Sequence, residues 1–172
     1  MNFSTRKIKK SDLSELVALY KKSAAIKEGL ARTPQEITKK YIGEIIDKAT
    51  KDGLGLVITD ENKKITACLI SYKLEPKAFK HTLGNMSLAV DPSYFGQGLG
   101  KKIFRDFVDE VRQNRPDIAR VELNVRESNK LGIKIYQSVG FVIEGVQKNR
   151  ILDAEGKLSD DMIMGWMNSG FR

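Results

Sequence analysis

The segment from Val90 to Lys102 constrains the fold of this chain more than any other stretch. An apolar run, Met86 to Val90, stops at Asp91-Pro92, and a glycine-rich turn then leads into a helical run from Leu99 to Arg112. A strand, a glycine loop and a helix N-terminus in this order bind anions, because the first helical N–H groups are unpaired and the helix dipole favours negative charge. Glycines also let the backbone approach a bulky ligand. The sequence therefore predicts a phosphate-binding loop.

Two well-known nucleotide-binding loops do not fit this segment. A P-loop requires glycine, then four residues, then Gly-Lys-Ser/Thr. This sequence has Phe95 where the first glycine belongs and Lys102 where the hydroxyl belongs. A dinucleotide fingerprint requires Gly-x-Gly-x-x-Gly within a parallel sheet. Gly96 and Gly98 match its first two glycines, but Lys101 stands at the third. Both loops are excluded.

Hydrophobic periodicity predicts strands and helices in the order β-α-α-β-β-β-α-β-α-β-β. We expect Ser11 to cap the first helix, and Thr33-Pro34 followed by Glu36 to start the second. Because the order mixes hairpins with crossovers, the sheet should contain both parallel and antiparallel pairs. The predicted strands are 3–9, 56–59, 65–74, 86–90, 121–125, 141–146 and 158–167, and the later helices are 33–49, 99–112 and 129–139.

Composition limits the class of protein. A length of 172 residues suits one domain over 1–172, and 41% hydrophobic with 30% charged residues is typical of a soluble globular protein. A single cysteine excludes an internal disulfide and a cysteine-rich metal site, so we expect no metal. No apolar run reaches the roughly 18 residues of a membrane helix, and the first residues lack the apolar core of a secretory signal. We therefore expect no membrane partner and a cytoplasmic location.

The formal net charge of +8 favours anionic partners such as a phosphorylated cofactor, a nucleic acid or an acidic surface. A nucleic-acid-binding protein is one hypothesis. However, the sequence contains no recognised nucleic-acid motif and no stripe of alternating aromatic and basic residues. A basic, solvated surface explains the charge equally well. We expect no specific nucleic-acid partner.

Two motifs resemble those of one family. Val90-Asp91-Pro92 followed by Gly96-Gln97-Gly98-Leu99-Gly100 resembles the acyl-CoA signature of the GNAT superfamily of N-acetyltransferases, although Phe95 stands where that signature has Arg or Gln. The segment from Asn129 to Phe141 resembles the family's Asn-x-x-Ala-x-x-Leu-Tyr-x-x-x-Gly-Phe, with Gly132 in place of alanine. The resemblance covers nearly the whole chain. It implies an α/β (α+β) fold with a mixed, mostly antiparallel central sheet flanked by helices.

The resemblance implies that acetyl-CoA is the co-substrate and enters a V-shaped gap between the fourth and fifth strands. Its pantetheine arm would pair with the strand backbone at Leu88 and Val90, as an added strand does. Its pyrophosphate would bind loop N–H groups, and Asn129 would bind the pantetheine, cap a helix, or do both. The cofactor-binding residues implied in this way are Leu88, Val90, Phe95, Gly96, Gln97, Gly98, Leu99, Gly100, Lys101 and Asn129. Candidates for contact with the 3′-phosphate are Lys101, Lys102, Lys130 and Lys134.

The resemblance further implies direct attack of an amine on the thioester, with Tyr136 as the general acid that protonates the leaving thiolate. The alternative role of Tyr136 is a half-buried aromatic that packs on the sheet. The predicted fourth strand carries no carboxylate, so the general base stays open. The candidates are His81, Glu122, Glu28 and a water held by Asn85 or Ser87, and an amine that is already partly deprotonated would need no dedicated base.

The implied function is an acetyl-CoA-dependent N-acetyltransferase that modifies a primary amine of a small molecule or peptide. The alternative is a non-catalytic acyl-CoA-binding module, suggested by Phe95 and by the strand without a carboxylate. We expect the acceptor amine to be lined by 24–32, 75–84 and the final hairpin. The sequence leaves the identity of the amine and the oligomeric state open, a homodimer included.

Overall fold

The computed structural model of the chain describes residues 2–27, 29–153 and 155–172. In these residues seven strands form one sheet in the order β1-β2-β3-β4-β5-β7-β6, with helices packed on both faces. None of the helices in these ranges is both long and apolar enough to cross a membrane. The strands are β1 (Ser4–Lys7), β2 (Leu54–Thr59), β3 (Ile65–Lys73), β4 (Thr82–Val90), β5 (Arg120–Arg126), β6 (Val142–Leu152) and β7 (Leu158–Met167). The helices are α1 (Leu13–Ala24), α2 (Lys39–Lys51), α3 (Leu99–Asn114) and α4 (Lys130–Ser138).

The sheet combines antiparallel pairs with one parallel pair among its described strands. β2 and β3 form a hairpin whose turn is closed by Asp60, because its Oδ1 accepts the N–H groups of Asn62 and Lys64. β4 and β5 are joined through α3 and run parallel, whereas the other neighbouring pairs are antiparallel. The predicted order of elements and the mixed, mostly antiparallel sheet are therefore confirmed.

β4 and β5 separate soon after they begin. Across the described residues of both strands, they pair only where Thr82 faces Arg120 and Leu83 faces Val121. At Asn85 the backbone has a φ of 48°, and the register of β4 against β3 shifts nearby. Asn adopts this left-handed conformation more readily than most residues. The remainder of β4 has β3 on one side and an open gap towards β5 on the other.

The two faces of the sheet carry separate apolar cores. α3 and α4 cover one face, where Phe104, Phe107 and Phe141 are fully buried. α1 and α2 cover β2 to β4 on the other face, where Tyr20 and Ile42 are fully buried. Burying one large apolar side chain stabilises a fold by about 1.5–3 kcal/mol, so these contacts hold the helices in place. Both helix pairs thereby fix the position of the gap between β4 and β5.

Two predicted helix starts are wrong. Ser11 lies within a 3-10 turn, Lys10–Asp12, and α1 follows that turn. Thr33 and Glu36 do form the expected capping box, but the box closes a separate 3-10 turn at Pro34–Glu36. α2 starts later, where the Thr38 side chain accepts the N–H of Tyr41. The capping residues therefore do mark a turn, but in both cases the turn is a short 3-10 segment that precedes the predicted α-helix.

Two strands extend by four residues or more beyond the predicted bounds. β4 begins at Thr82 rather than Met86. Thr82 pairs with β5, and Leu83 pairs with both β3 and β5. β6 continues to Leu152 rather than Val146, and its second half pairs with β7 after an irregular stretch. Both extensions depend on cross-strand pairing, which the sequence of a single strand does not reveal.

The hydroxyl of Tyr20 is an exception to the rule that buried polar groups are paired. The residue belongs to α1 and is fully buried, and its hydroxyl makes no hydrogen bond of acceptable geometry among the described residues, although the Ser87 and Cys68 side chains lie near it. Burial raises the pKa of Tyr20 well above its usual value. The hydroxyl therefore remains protonated and unpaired, which costs stability.

We expect Tyr20→Phe to leave the free energy of unfolding unchanged or to raise it by up to about 1 kcal/mol, because only an unpaired hydroxyl is lost. Ser71→Ala is the matched control, since the buried Ser71 hydroxyl donates to the Gly84 carbonyl at 2.7 Å. Its loss should cost about 1–2 kcal/mol. Urea unfolding measures both. A cost for Tyr20→Phe equal to that of Ser71→Ala would show that the Tyr20 hydroxyl is paired in solution.

Candidate active site

A cavity of about 520 Å³ occupies the gap at the end of β4. Its walls come from β4, the glycine loop, the first turn of α3, and α4, with Ser23 and Ile26 closing one side. The described wall contains Tyr136 and every predicted cofactor-binding residue except Gln97. Residues distant in sequence are therefore brought together as the two motifs suggested.

The glycine loop is anchored at its start by Asp91, which is buried. Its carboxylate accepts hydrogen bonds from the Ser93 N–H at 3.0 Å and from the Lys22 ammonium at 2.8 Å. Burial alone would raise the pKa of Asp91, but these two donors outweigh it and hold the pKa below its usual value. The Tyr94 hydroxyl donates to Asp60 at 2.8 Å. The loop is thus tied both to α1 and to the β2–β3 turn.

Gly96 and Gly98 give the loop its turn. Their φ angles are 78° and 76°, in the left-handed region that disfavours a side chain. No described atom lies within 4 Å of the position that a Cβ would take at either residue. Backbone conformation, and not crowding, therefore requires glycine at both positions.

The first turn of α3 leaves backbone donors free for a ligand. Lys102 donates its N–H to the Gly98 carbonyl at 3.0 Å, which closes the first turn. The N–H groups of Leu99, Gly100 and Lys101 precede this bond and have no acceptor within the helix. All three residues line the cavity. Together with the helix dipole, these groups suit a phosphate.

Phe95 and Gln97 differ from the other loop positions. The N–H of Phe95 donates to the Pro92 carbonyl at 3.1 Å, so this backbone group is already paired. The Phe95 side chain is 56% exposed and lines the cavity instead. The N–H of Gln97 makes a long contact of 3.4 Å with the Tyr94 carbonyl. The donors offered to an anion therefore lie mainly after Gln97, at the start of α3.

Only one of the four candidate lysines belongs to the described cavity wall, and it is Lys101. Lys102 pairs with Asp106 at 2.7 Å, one turn further along α3. Lys130 lies 3.8 Å from Glu127, and Lys134 is exposed. Lys101 is therefore the lysine best placed to meet a phosphate group.

The free edge of β4 faces the gap. The N–H of Val90 donates to the Ser23 hydroxyl at 3.1 Å, and that hydroxyl donates to the Val90 carbonyl at 2.9 Å. The N–H of the next residue, Asp91, donates to the Thr66 carbonyl on β3. Since backbone groups alternate along a strand, those of Leu88 point to the same side as those of Val90. The predicted pairing groups thus face the gap, and Ser23 satisfies those of Val90.

Asn129 caps α4, which is one of the two roles that we expected for it. Its side-chain oxygen accepts the N–H of Gly132 at 2.8 Å. A Cβ at Gly132 would lie 2.6 Å from the Asn129 side-chain nitrogen, so glycine leaves room for this cap. Asn129 also lines the cavity. Because the cap uses the oxygen, the side-chain NH₂ group stays available to a ligand.

Tyr136 lies where this cavity meets a second one. It is 9% exposed, and its ring centroid lies 4.6 Å from that of Phe104 and 6.4 Å from that of Phe141. Burial raises the pKa of Tyr136 to about 12. The phenol therefore keeps its proton across the neutral range, while the same burial makes it a weaker acid than a solvated tyrosine. Packing and proton donation are compatible roles for this side chain.

The second cavity, of about 680 Å³, also borders Leu88, Asn129 and Tyr136. Residues 29–32 and the final hairpin, through Arg150 and Asp161, contribute to its wall as expected. Residues 75–84, which we also expected near the acceptor, line neither cavity in the described part of the chain. That segment precedes the point where β4 and β5 separate.

The candidate general bases are not equally placed. Asn85 and Ser87 line the second cavity, as a water relay requires. Neither His81 nor Glu122 belongs to the described wall of either cavity, and Glu122 pairs with Arg120 at 3.0 Å. Glu28 lies outside the described residues. A relay through Asn85 or Ser87 is therefore the candidate that the geometry favours.

Among the residues at the site that the sequence did not single out individually are Ser23, Arg126 and Arg150. Strand alternation could have placed Arg126 on the polar face of β5, opposite the buried Val125. Ser23 and Arg150 carry no local signal. Their positions depend on how α1 crosses β4 and on how β6 pairs with β7.

Comparison with known proteins gives a consistent result. The sequence model of the acetyltransferase (GNAT) family matches residues 16–141. The [ribosomal protein bS18]-alanine N-acetyltransferase of Escherichia coli K12 is 34% identical over 104 residues, which is 60% of this chain and 65% of the relative. The match thus spans slightly less than two thirds of that enzyme.

Solved structures share the fold. An acetyltransferase of the GNAT family from Streptococcus pneumoniae superposes with a TM-score of 0.86 at 22% identity, covering 96% of this chain and 99% of the other. A GNAT superfamily phosphinothricin acetyltransferase from Sinorhizobium meliloti, in complex with AcCoA, gives a TM-score of 0.86 at 16% identity, covering 100% and 93%. At these identities the likeness concerns the fold alone.

Gly98→Ala should lower the free energy of unfolding by about 1–2 kcal/mol, because alanine must adopt a left-handed conformation there. Gly100→Ala is the matched control. Its Cβ would lie 3.7 Å from Ile135, an ordinary contact, and the residue is helical. Alanine there should be neutral or stabilising by up to about 1 kcal/mol. Guanidinium unfolding measures both, and equal effects would contradict the assigned loop conformation.

Proposed function

The chain belongs to the acetyltransferase (GNAT) family, and on that basis we propose that it transfers the acetyl group of acetyl-CoA to a primary amine. One observation carries the proposal. A single cavity joins an anion-binding helix start, an open strand edge and a buried, protonated tyrosine. These are the three parts that a long phosphorylated thioester needs in order to bind and react.

The cavity suits acetyl-CoA along its length. The N–H groups of Leu99, Gly100 and Lys101 would bind the pyrophosphate, with the Lys101 side chain adding positive charge. The backbone of Leu88 and Val90 would pair with the amides of the pantetheine arm. The Asn129 side-chain NH₂ group would donate to the same arm. Ser23 must release Val90 when this pairing forms, since its hydroxyl now takes both Val90 groups.

The reaction needs little more than positioning and one proton donor. The amine nitrogen attacks the thioester carbonyl, a C–N bond forms, and the C–S bond breaks. A strand N–H in the gap, such as that of Leu88, would stabilise the oxyanion that develops. Tyr136 would donate its proton to the departing thiolate and then recover one from solvent. Because its pKa is about 12, the phenol is protonated whenever a turnover begins.

The acceptor amine would occupy the second cavity, which borders Tyr136 and Leu88. A water held by Asn85 or Ser87 would take the proton that the amine loses on attack. The acceptor would be a small molecule or a peptide N-terminus. Support for a peptide comes from the E. coli relative, which is named for the alanine of a ribosomal protein.

Two measurements test the proposal. Calorimetric titration of the protein with acetyl-CoA should give saturable binding, and release of free thiol should then depend on added amine. Absence of saturable binding at micromolar protein would overturn the proposal. Binding without thiol release from any of a broad set of amines would instead identify a non-catalytic acyl-CoA-binding module.

Tyr136→Phe should lower kcat by about 100-fold or more, because it removes the general acid and leaves the ring contacts with Phe104 and Phe141 intact. The acetyl-CoA dissociation constant should change by less than about 3-fold, since the hydroxyl is not needed for phosphate binding. Steady-state thiol release and calorimetry provide the two values. An unchanged kcat would remove Tyr136 from the reaction and leave it as a packing residue.

A further inference from the structure

The charged groups around the acceptor cavity are unevenly divided. Among the described wall residues, three are arginines, Arg32, Arg126 and Arg150, whereas Asp161 is the single carboxylate. The wall contains no described lysine or glutamate. A cavity with low-dielectric walls and an excess of one charge attracts ligands of the opposite charge.

The single carboxylate, that of Asp161, is hydrogen-bonded to other side chains of the protein. Asp161 is 6% exposed, and its Oδ2 accepts hydrogen bonds from Arg150 at 3.0 Å and from the Asn124 side chain at 3.1 Å. Because the Arg150 guanidinium compensates its charge, Asp161 offers little attraction to an ammonium group.

Arg126 has no such compensation. It faces Asp161 across the β5–β7 pair, yet no carboxylate of the described residues lies within ion-pair distance of its guanidinium. It is half-buried at the end of β5. A partly desolvated guanidinium without a carboxylate partner binds an anionic ligand strongly, because the interaction is charge-assisted and can be bidentate.

Arg32 adds a second weakly paired positive charge. Its guanidinium stacks 4.2 Å above the Tyr41 ring, and its distance to the Glu36 carboxylate is 3.9 Å, at the limit for an ion pair. The stacking fixes the guanidinium plane and leaves its N–H donors for other partners. Arg32 and Arg126 are distant in sequence, but both line the wall of the second cavity.

We propose that the acceptor is an amine that also carries a carboxylate, held by Arg126 and Arg32, rather than a polycation. This inference rests on the proposed acetyl transfer and names its substrate class. Free α-amino acids and peptides with an acidic residue near the N-terminus share this chemistry. The positive surroundings also favour the neutral form of the attacking amine, which a site without a strand carboxylate needs.

Matched acceptor pairs test the substrate class. An α-amino acid is compared with its amide, and a peptide beginning Ala-Glu is compared with one beginning Ala-Gln. Thiol release under saturating acetyl-CoA gives kcat/KM for each acceptor. We expect the carboxylate member to be favoured about 10-fold or more in at least one pair, and the responding pair distinguishes free amino acids from peptides. Equal values in both pairs, or a preference for spermidine, would overturn the inference.

Three variants assign the preference to Arg126. Arg126→Gln should lower the ratio of kcat/KM values within the responding pair about 10-fold, and Arg126→Lys should restore part of it, because lysine keeps the charge but not the bidentate geometry. Arg105→Gln removes an exposed arginine of α3 outside both cavities and should leave the ratio unchanged. Because each ratio comes from one preparation, a poorly folded fraction cancels. An unaltered ratio in Arg126→Gln would refute the role of Arg126.

Failure of this inference differs from failure of the proposed function. Thiol release with amides or polyamines, but without a carboxylate preference, would retain acetyl transfer and reject the substrate class. No thiol release with any acceptor and no saturable acetyl-CoA binding would reject both.

Discussion

The separation of β4 from β5 is the constraint on which the rest of the site depends. The strands pair at Thr82 and Leu83 and then diverge, so the later part of β4 keeps unpaired backbone groups on one edge. An exposed strand edge is normally a liability, because it invites pairing with another chain. Here α1 crosses the edge, and the Ser23 hydroxyl satisfies both groups of Val90. At Val90 the edge is therefore covered by one side chain, while the backbone groups of Leu88 face the gap.

Two cavities border the site. The glycine loop and the first turn of α3 line one, the arginine-rich wall lines the other, and Tyr136 borders both. Both cavities present positive groups in their described walls, Lys101 in the first and three arginines in the second. Between them lies the phenol of Tyr136, which burial keeps protonated by raising its pKa to about 12. The two apolar cores hold these parts in place, and the Tyr136 ring is itself part of the core beneath α3 and α4.

Local signals in the sequence were sufficient for the loop but not for the whole site. The turn at Gly96 and Gly98, the start of α3 and the cap at Asn129 are set by neighbouring residues, and each has the structure predicted for it. The start of β4 and the juxtaposition of Arg126 with Asp161 depend on strand register, which is fixed by distant residues. The capping box at Thr33 shows the limit of local signals, because the same pattern closes a 3-10 turn as readily as it starts a helix.

Amide hydrogen exchange, followed by NMR with and without coenzyme A, tests most directly whether the open edge and the helix start form one ligand site. Coenzyme A lacks the acetyl group, so binding is observed without turnover. We expect the amides of Leu88, Gly100 and Lys101 to exchange about 10-fold more slowly in its presence, and those of β1 to be unaffected. Unchanged exchange at these three amides under saturating coenzyme A would contradict binding along β4 and at the start of α3.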